Sequence, residues 1–266
     1  MNVDRHDGID PARDMLWPDR VGALATTRRG GCSPPPRDEL DLGGGRDDQG
    51  RLPADVSANR QMLSAWIGGI PVCFLRQVHG TRVHRVERPA DAQTPEGAEP
   101  EADAVVVRCA GVAACVLAAD CLPVLLADRA GTVVAAAHAG WRGLAAGVLE
   151  RTLEAMAVPA TELSAWLGPC IGTEAFEVGP EVRAAFRAAD PQASSAFRPG
   201  RPGHWHADLA GLARQRLARA GVRQIGGGGI DVHADAARFY SHRRDAGRTG
   251  RQGALIWLSP LPRPRS

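Results

Sequence analysis

The sequence predicts a mixed α/β (α+β) fold: a single-domain, mixed-sheet sandwich with flanking helices. Three observations carry that prediction. Short apolar runs cluster in the middle third, namely ADAVVVR (102–108), VAACVLA (112–118), LPVLLAD (122–128) and TVVAAAH (132–138), each bounded by Gly, Asp or Pro. The runs are continuously apolar rather than alternating, as expected of strands covered on both faces. Helical periodicity comes between some strands and not others, which argues against a regular βαβ winding.

Taken in order, residues 1–20 read as a flexible leader, 21–258 as a single domain, and the Pro- and Arg-rich SPLPRPRS (259–266) as a flexible tail. PADAQTPEGAEPEA (89–102) is an acidic, proline-bearing loop and FRPGRPGH (197–204) a second loop. The four apolar runs follow from 102 to 138. Beyond them Leu144, Val148, Leu149, Leu153 and Met156 fall on one side of a helix expected to begin near Gly143. A strand is expected at WLG (166–168), helices over 179–188 and 208–220, and closing strands at VRQIG (222–226) and ALIWL (254–258).

The chain has 266 residues, 44% apolar and 23% charged, the balance of an ordinary globular protein. A formal net charge of +2 gives no argument for a nucleic-acid or membrane partner. All 32 basic residues are arginine, so Schiff-base chemistry and a lysine-bearing phosphate loop are excluded, while guanidinium forks for phosphate are plentiful. The N-terminal MNVDRHDGID is polar and acidic rather than signal-like, and no apolar run approaches the length of a membrane span. A cytoplasmic monomer is the expectation. The six cysteines (32, 73, 109, 115, 121, 170) show no CxxC and no disulfide-framework spacing, so each is read singly.

Three stretches place a metal-capable or nucleophilic side chain at the end of an apolar segment: RQVHG with His79, AADCLPVLL with Cys121, and AAAHAGWRG with His138. Loops at strand ends are where sites are assembled on rigid sheets. Two histidines and a cysteine suffice for zinc with one position left open, as catalytic sites require. The spacings of 42 and 17 residues match no short zinc-finger arrangement, which speaks against a purely structural zinc. Without a metal the same residues could form a Cys–His pair in which His79 or His138 activates the Cys121 thiolate. Residue types alone leave both chemistries open. After His138, Gly140 and Gly143 allow close backbone approach, and Arg142 beside a helix start could grip phosphate. The same residues also suit a tight strand-to-helix turn over Trp141.

The ordered series TTRRGG, RQVHG, ADCLPVLL, AAHAGWRGLAAGVLE, WLGPCIG with FEVGPEV, and FYSHRRD with GRQGALI resembles the YfiH family, from about residue 21 to 258. That family is described as purine nucleoside phosphorylases with adenosine deaminase activity. Its older names are multicopper polyphenol oxidase and laccase-domain protein, and some members are described as peptidoglycan editing factors. The resemblance implies a fold similar to cysteine-hydrolase-like α/β sandwiches and a zinc held by His79, Cys121 and His138. It further implies phosphorolysis of adenosine, inosine, guanosine or methylthioadenosine, and deamination of adenosine. Arg28, Gln77 and Arg142 are the expected substrate- or phosphate-contacting groups. A metal-independent Cys–His hydrolase or a peptidoglycan editing factor is the alternative. Copper oxidase chemistry ranks below both, because the one His-x-His pair, His204 and His206, lies outside the three motifs. The chain departs from the family pattern at LDLGGGRDD (40–48), and it lacks a late Cys-Thr pair before FYSHRRD. In that region His233 is read as a solvent-facing loop residue.

Overall fold

Apolar runs that alternate sides without alternating polarity must be covered twice, and the architecture supplies both covers. The structure is a computed structural model that describes residues 8–10, 15, 17–43, 51–92, 94 and 98–260. Much of the expected leader, residues 44–48 of the LDLGGGRDD stretch, part of the acidic loop and the end of the tail lie outside the described residues.

The elements run β1 (Val21–Ala25), α1 (Ala54–Trp66), β2 (Val72–Cys73), β3 (Val83–Val86), β4 (Ala104–Val107), β5 (Ala113–Ala118), β6 (Leu122–Asp128), β7 (Val134–Ala139), α2 (Trp141–Ala146) and α3 (Val148–Met156). They continue with β8 (Leu163–Leu167), β9 (Glu177–Val178), α4 (Pro180–Ala189), β10 (Phe197–Pro199), β11 (Trp205–Ala207), α5 (Leu209–Arg219), β12 (Gln224–Gly227) and β13 (Gln252–Leu258). Among the described residues the strands form a six-stranded sheet β12-β8-β6-β7-β4-β3, a four-stranded sheet β1-β13-β5-β2 and a small sheet β10-β11-β9. The two larger sheets are mixed: β3 and β12 pair in parallel with β4 and β8, whereas β4, β6, β7 and β8 pair antiparallel.

Along β6, Leu122, Val124 and Leu126 face a core shared with Leu149 of α3, Phe186 of α4 and Leu212 of α5. Leu125 and Ala127 face the opposite way, into a second core with Val116 of β5 and Ile256 of β13. Leu24, Cys115 and Leu255, on the far face of the four-stranded sheet, meet Leu63 of α1 and the following Ile67 in a third. The order of layers is therefore helices, six-stranded sheet, four-stranded sheet, helix. The mixed α/β sandwich expected from the sequence is the one observed.

Three details differ from expectation. The helix after His138 begins at Trp141 rather than near Gly143, and it is interrupted where Gly147 takes φ = 101°, a left-handed conformation that ends α2 and starts α3. Helix α1 was not expected. Its buried stripe is Val56, Asn59 and Leu63, so a polar side chain breaks the apolar period. That Asn59 is fully buried, donating to Ser33 Oγ and to the carbonyls of Glu39 and Asp41 while accepting from the Cys32 N–H. Finally, described residues of the N-terminal stretch are packed. Ile9 bridges Ala25, Met15 is buried, and Trp17 Nε1 donates to Ser164 Oγ at 2.8 Å. No helix of the described residues is long and apolar enough to cross a membrane.

Candidate functional site

β7 carries His138 opposite Pro123 of β6. Ala137 and Ala139 face the helices, so alternation turns His138 toward the second sheet, where it is buried. Cys121 immediately precedes β6, after Asp120, whose φ of 92° breaks the strand direction just before the thiol. His79 sits in the loop before β3 with φ = 61°, also unusual for a non-glycine residue. These three residues meet. One ligand atom from each lies within 4.8 Å of the others, with His79 exposed, Cys121 half-buried and His138 buried. Cys121 Sγ is 3.8 Å from His79 Nε2, and the two imidazoles pack edge-on with centroids 4.8 Å apart. Among the described residues this is the one such group of three or more potential ligands.

A residue absent from the sequence expectations organises the group. Asp103, fully buried just before β4, accepts the backbone N–H groups of Val78 (3.2 Å), His79 (2.8 Å) and Gly80 (2.6 Å). Its Oδ1 also lies 2.9 Å from His138 Nδ1, and its carbonyl accepts the His138 N–H at 2.7 Å. One carboxylate thus holds the His79 backbone in its left-handed turn and the His138 ring in one orientation. With Nδ1 committed to Asp103, Nε2 is the His138 atom left to face Cys121. Burial opposes the Asp103 charge, but the His138 hydrogen bond and the N–H groups of Gly80 and His79 outweigh it and hold the carboxyl below its usual range.

Two glycines make room. A Cβ at Gly140 would lie 2.9 Å from both Cys121 Sγ and His79 Cδ2, and one at Gly143 would lie 2.8 Å from the Gly80 carbonyl oxygen. The first turn of α2 therefore docks directly on the His79 loop.

Electrostatics set Cys121 apart from the other thiols. Burial pushes Cys73 up to about 12 and raises Cys109, Cys115 and Cys170 as well. At Cys121 burial acts in the same direction. The positive charge of His138 and hydrogen bonds from both histidines override it and bring the thiol down to about 6. His138 moves the other way. Burial disfavours its cation, but the Cys121 thiolate and the Asp103 hydrogen bond raise it. Thiolate and imidazolium stabilise each other, so the two titrate as a pair.

Gln77 exchanges two hydrogen bonds with the backbone of Leu117 (2.8 and 2.7 Å), pinning the His79 loop to β5. Arg28 donates to the carbonyls of Asp38 and Ala236 and to the Asp38 carboxylate, and its guanidinium lies over Tyr240. Three of its five donor hydrogens are thus engaged, by Asp38 and by Ala236. Arg142 is exposed and stacks on Trp141 at 4.5 Å, at the start of a helix only six residues long. His204 and His206 bond to Arg201 and to the Thr173 carbonyl, away from the three-residue group. His233 is half-buried in a turn around Asp231.

Residues 22–259 match the family described as multi-copper polyphenol oxidoreductase laccase. The purine nucleoside phosphorylase YfiH of Escherichia coli is 47% identical over 247 residues, which is 91% of this chain and 96% of that protein. The chain belongs to the YfiH family. A second relative, a purine nucleoside phosphorylase of Pseudomonas aeruginosa, is 49% identical over 246 residues, covering 92% of this chain and 96% of its own length. Among solved YfiH-like structures, a Neisseria meningitidis protein of the DUF152 family superposes with a TM-score of 0.86 at 44% identity, covering 96% of this chain and 100% of that one. The YfiH protein of Bacillus licheniformis gives 0.85 at 27% identity, covering 97% and 98%. A laccase-domain family and a His–Cys–His group together point to a metal centre in this YfiH-family chain.

Proposed function

We propose that the chain is a zinc-dependent purine nucleoside phosphorylase that also deaminates adenosine to inosine. Its substrates would be adenosine, inosine, guanosine or methylthioadenosine with phosphate, giving the free base and a ribose 1-phosphate. The observation that carries the reading is the convergence of His79, Cys121 and His138 within 4.8 Å, in a chain whose relatives bear the phosphorylase name. One thiolate and two imidazoles suit zinc, which takes S and N donors and keeps an open position in catalytic sites. Cys121 is already drawn toward thiolate, Asp103 holds His138 with Nε2 free to ligate, and Gly140 leaves the space between the donors clear. Bound there, zinc would supply Lewis acidity and lower the pKa of a coordinated water. The protein's part is to hold the donors rigidly from two strand ends and one tied-down loop, and to keep the His138 side dry. Residues 21–258 would form the catalytic unit, acting as a cytoplasmic monomer on small molecules rather than on nucleic acid or membrane. The multi-copper wording of the family description implies several copper ions, whereas the described residues hold a single three-donor group.

A metal-independent Cys–His hydrolase is the second reading, favoured by the Asp103–His138–Cys121 order and the lowered thiol. One experiment separates the two. Adenosine is incubated with the purified, zinc-analysed protein, with and without phosphate, and the products are resolved by liquid chromatography. Adenine formed only with phosphate is the phosphorolysis expected, and inosine in either case is deamination. Absence of zinc together with unchanged turnover by Cys121→Ala removes the metalloenzyme reading. Inactivation by iodoacetamide without loss of zinc favours the hydrolase.

A further inference from the structure

Phosphorolysis needs an anion site, and two of the three expected phosphate contacts, Arg28 and Gln77, are bonded to the protein itself. We propose that Arg243, in the FYSHRRD stretch, supplies the phosphate-binding guanidinium. This proposal rests on the phosphorolysis reading above.

The backbone N–H of Arg243 donates to Asp120 Oδ2 at 2.6 Å, and Asp120 is the residue before Cys121. The Asp120 carbonyl in turn accepts the Ile171 N–H at 2.9 Å, so the loops around 171–177 and 241–245 both close on the Cys121 turn. The side chain is anchored as firmly as the backbone. Arg243 Nη1 donates to the carbonyls of Ala175 and Glu177, each at 3.1 Å, and the guanidinium carbon lies 5.7 Å from the Phe176 ring centroid. Two bonds to Nη1 use both of its hydrogens. Nε and Nη2 remain, and these form the edge of guanidinium that matches two oxygens of a phosphate.

Two further observations favour this residue over the alternatives. Arg243 is exposed, and among the described residues no carboxylate lies within ion-pair distance of its guanidinium, so its charge is not neutralised. Neighbouring Arg244, by contrast, pairs with Asp245 and donates to the carbonyls of Val232, His233 and Phe239. Arg142 stacks on Trp141, with no side-chain hydrogen bond to orient it among the described residues. An arginine already held by two carbonyls loses little side-chain freedom when an anion arrives.

The test uses the full-length, metal-loaded protein. Inorganic phosphate binding is measured by calorimetry, and KM values for phosphate and for inosine are measured separately, in wild type and in Arg243→Ala. The substitution keeps the backbone N–H that Asp120 accepts, so the Cys121 turn retains its tie. Phosphate affinity is expected to fall about tenfold to a hundredfold, with the inosine KM at saturating phosphate unchanged. Arg243→Lys, a charge without the two-pronged edge, is expected to fall between the two. Equal phosphate affinity in wild type and Arg243→Ala overturns the proposal, as does an inosine KM that rises by the same factor. Wild type that binds phosphate without splitting nucleosides defeats only the phosphorolysis reading, whereas wild type that binds no phosphate defeats the assignment of Arg243.

Discussion

Asp103 Oδ1 lies 2.9 Å from His138 Nδ1 and 2.8 Å from the backbone nitrogen of His79, so a single carboxylate oxygen serves two of the three clustered residues, one through its ring and one through its backbone. Replacement by asparagine keeps the volume but turns one acceptor oxygen into a donor facing other donors. Asp103→Asn is expected to weaken zinc binding about 10- to 100-fold, read by competition with a chelating dye. An unchanged affinity would mean that the ring and the loop hold their places without it.

Cys121 in the metal-free protein should react as a thiolate at a pH where ordinary thiols do not. Its pKa lies below the ordinary value, so the reactive fraction appears as pH rises through about 6 instead of about 9. The iodoacetamide rate is expected to climb across that range and level off near neutrality. In His138→Ala the midpoint should move upward, because the stabilising positive charge is gone. The linked stability has a matching window. The depressed thiol contributes until pH falls through about 6, and the raised His138 contributes until pH rises through about 9.

Gly140→Ala tests how tightly the donors are packed. The added methyl would sit 2.9 Å from both Cys121 Sγ and His79 Cδ2, inside van der Waals contact. Zinc content and turnover are expected to collapse while circular dichroism remains that of wild type. Full zinc occupancy in the variant would show that the loop can yield.

Asn59→Ala addresses the buried polar post of α1. Its side chain meets Ser33, Glu39, Asp41 and Cys32, and truncation leaves those groups unpaired in the interior. A loss of about 2–3 kcal/mol is expected from urea unfolding, with kcat unaffected because the helix lies on the far layer.

The layers and the metal-capable trio were legible for one physical reason. Strands covered on both faces are unbroken in polarity, and a titratable group at the end of such a run stands out. His138 after AAA and Cys121 before LPVLL are conspicuous in that way. Asp103 was not, because an acid at the head of ADAVVVR reads equally well as a strand boundary. Donor availability is likewise invisible in sequence. Arg28 and Gln77 have the right chemistry, and tertiary contacts with Asp38 and Leu117 engage part of it. The left-handed turns at His79 and Asp120 escaped notice because that conformation is expected of glycine. Helix α1 was hidden by Asn59, whose burial depends on carbonyls supplied by a distant loop.

The first and last strands of the domain lie side by side, with Val21 opposite Leu258 and five rungs between β1 and β13. A short linker could therefore join the two ends, and the chain could be reopened at the exposed Arg201–Pro202–Gly203 tip. Such a circular permutant would keep every contact of the His79–Cys121–His138 cluster. The same adjacency would let the whole domain be spliced into a surface loop of a host protein, entering and leaving through a single doorway.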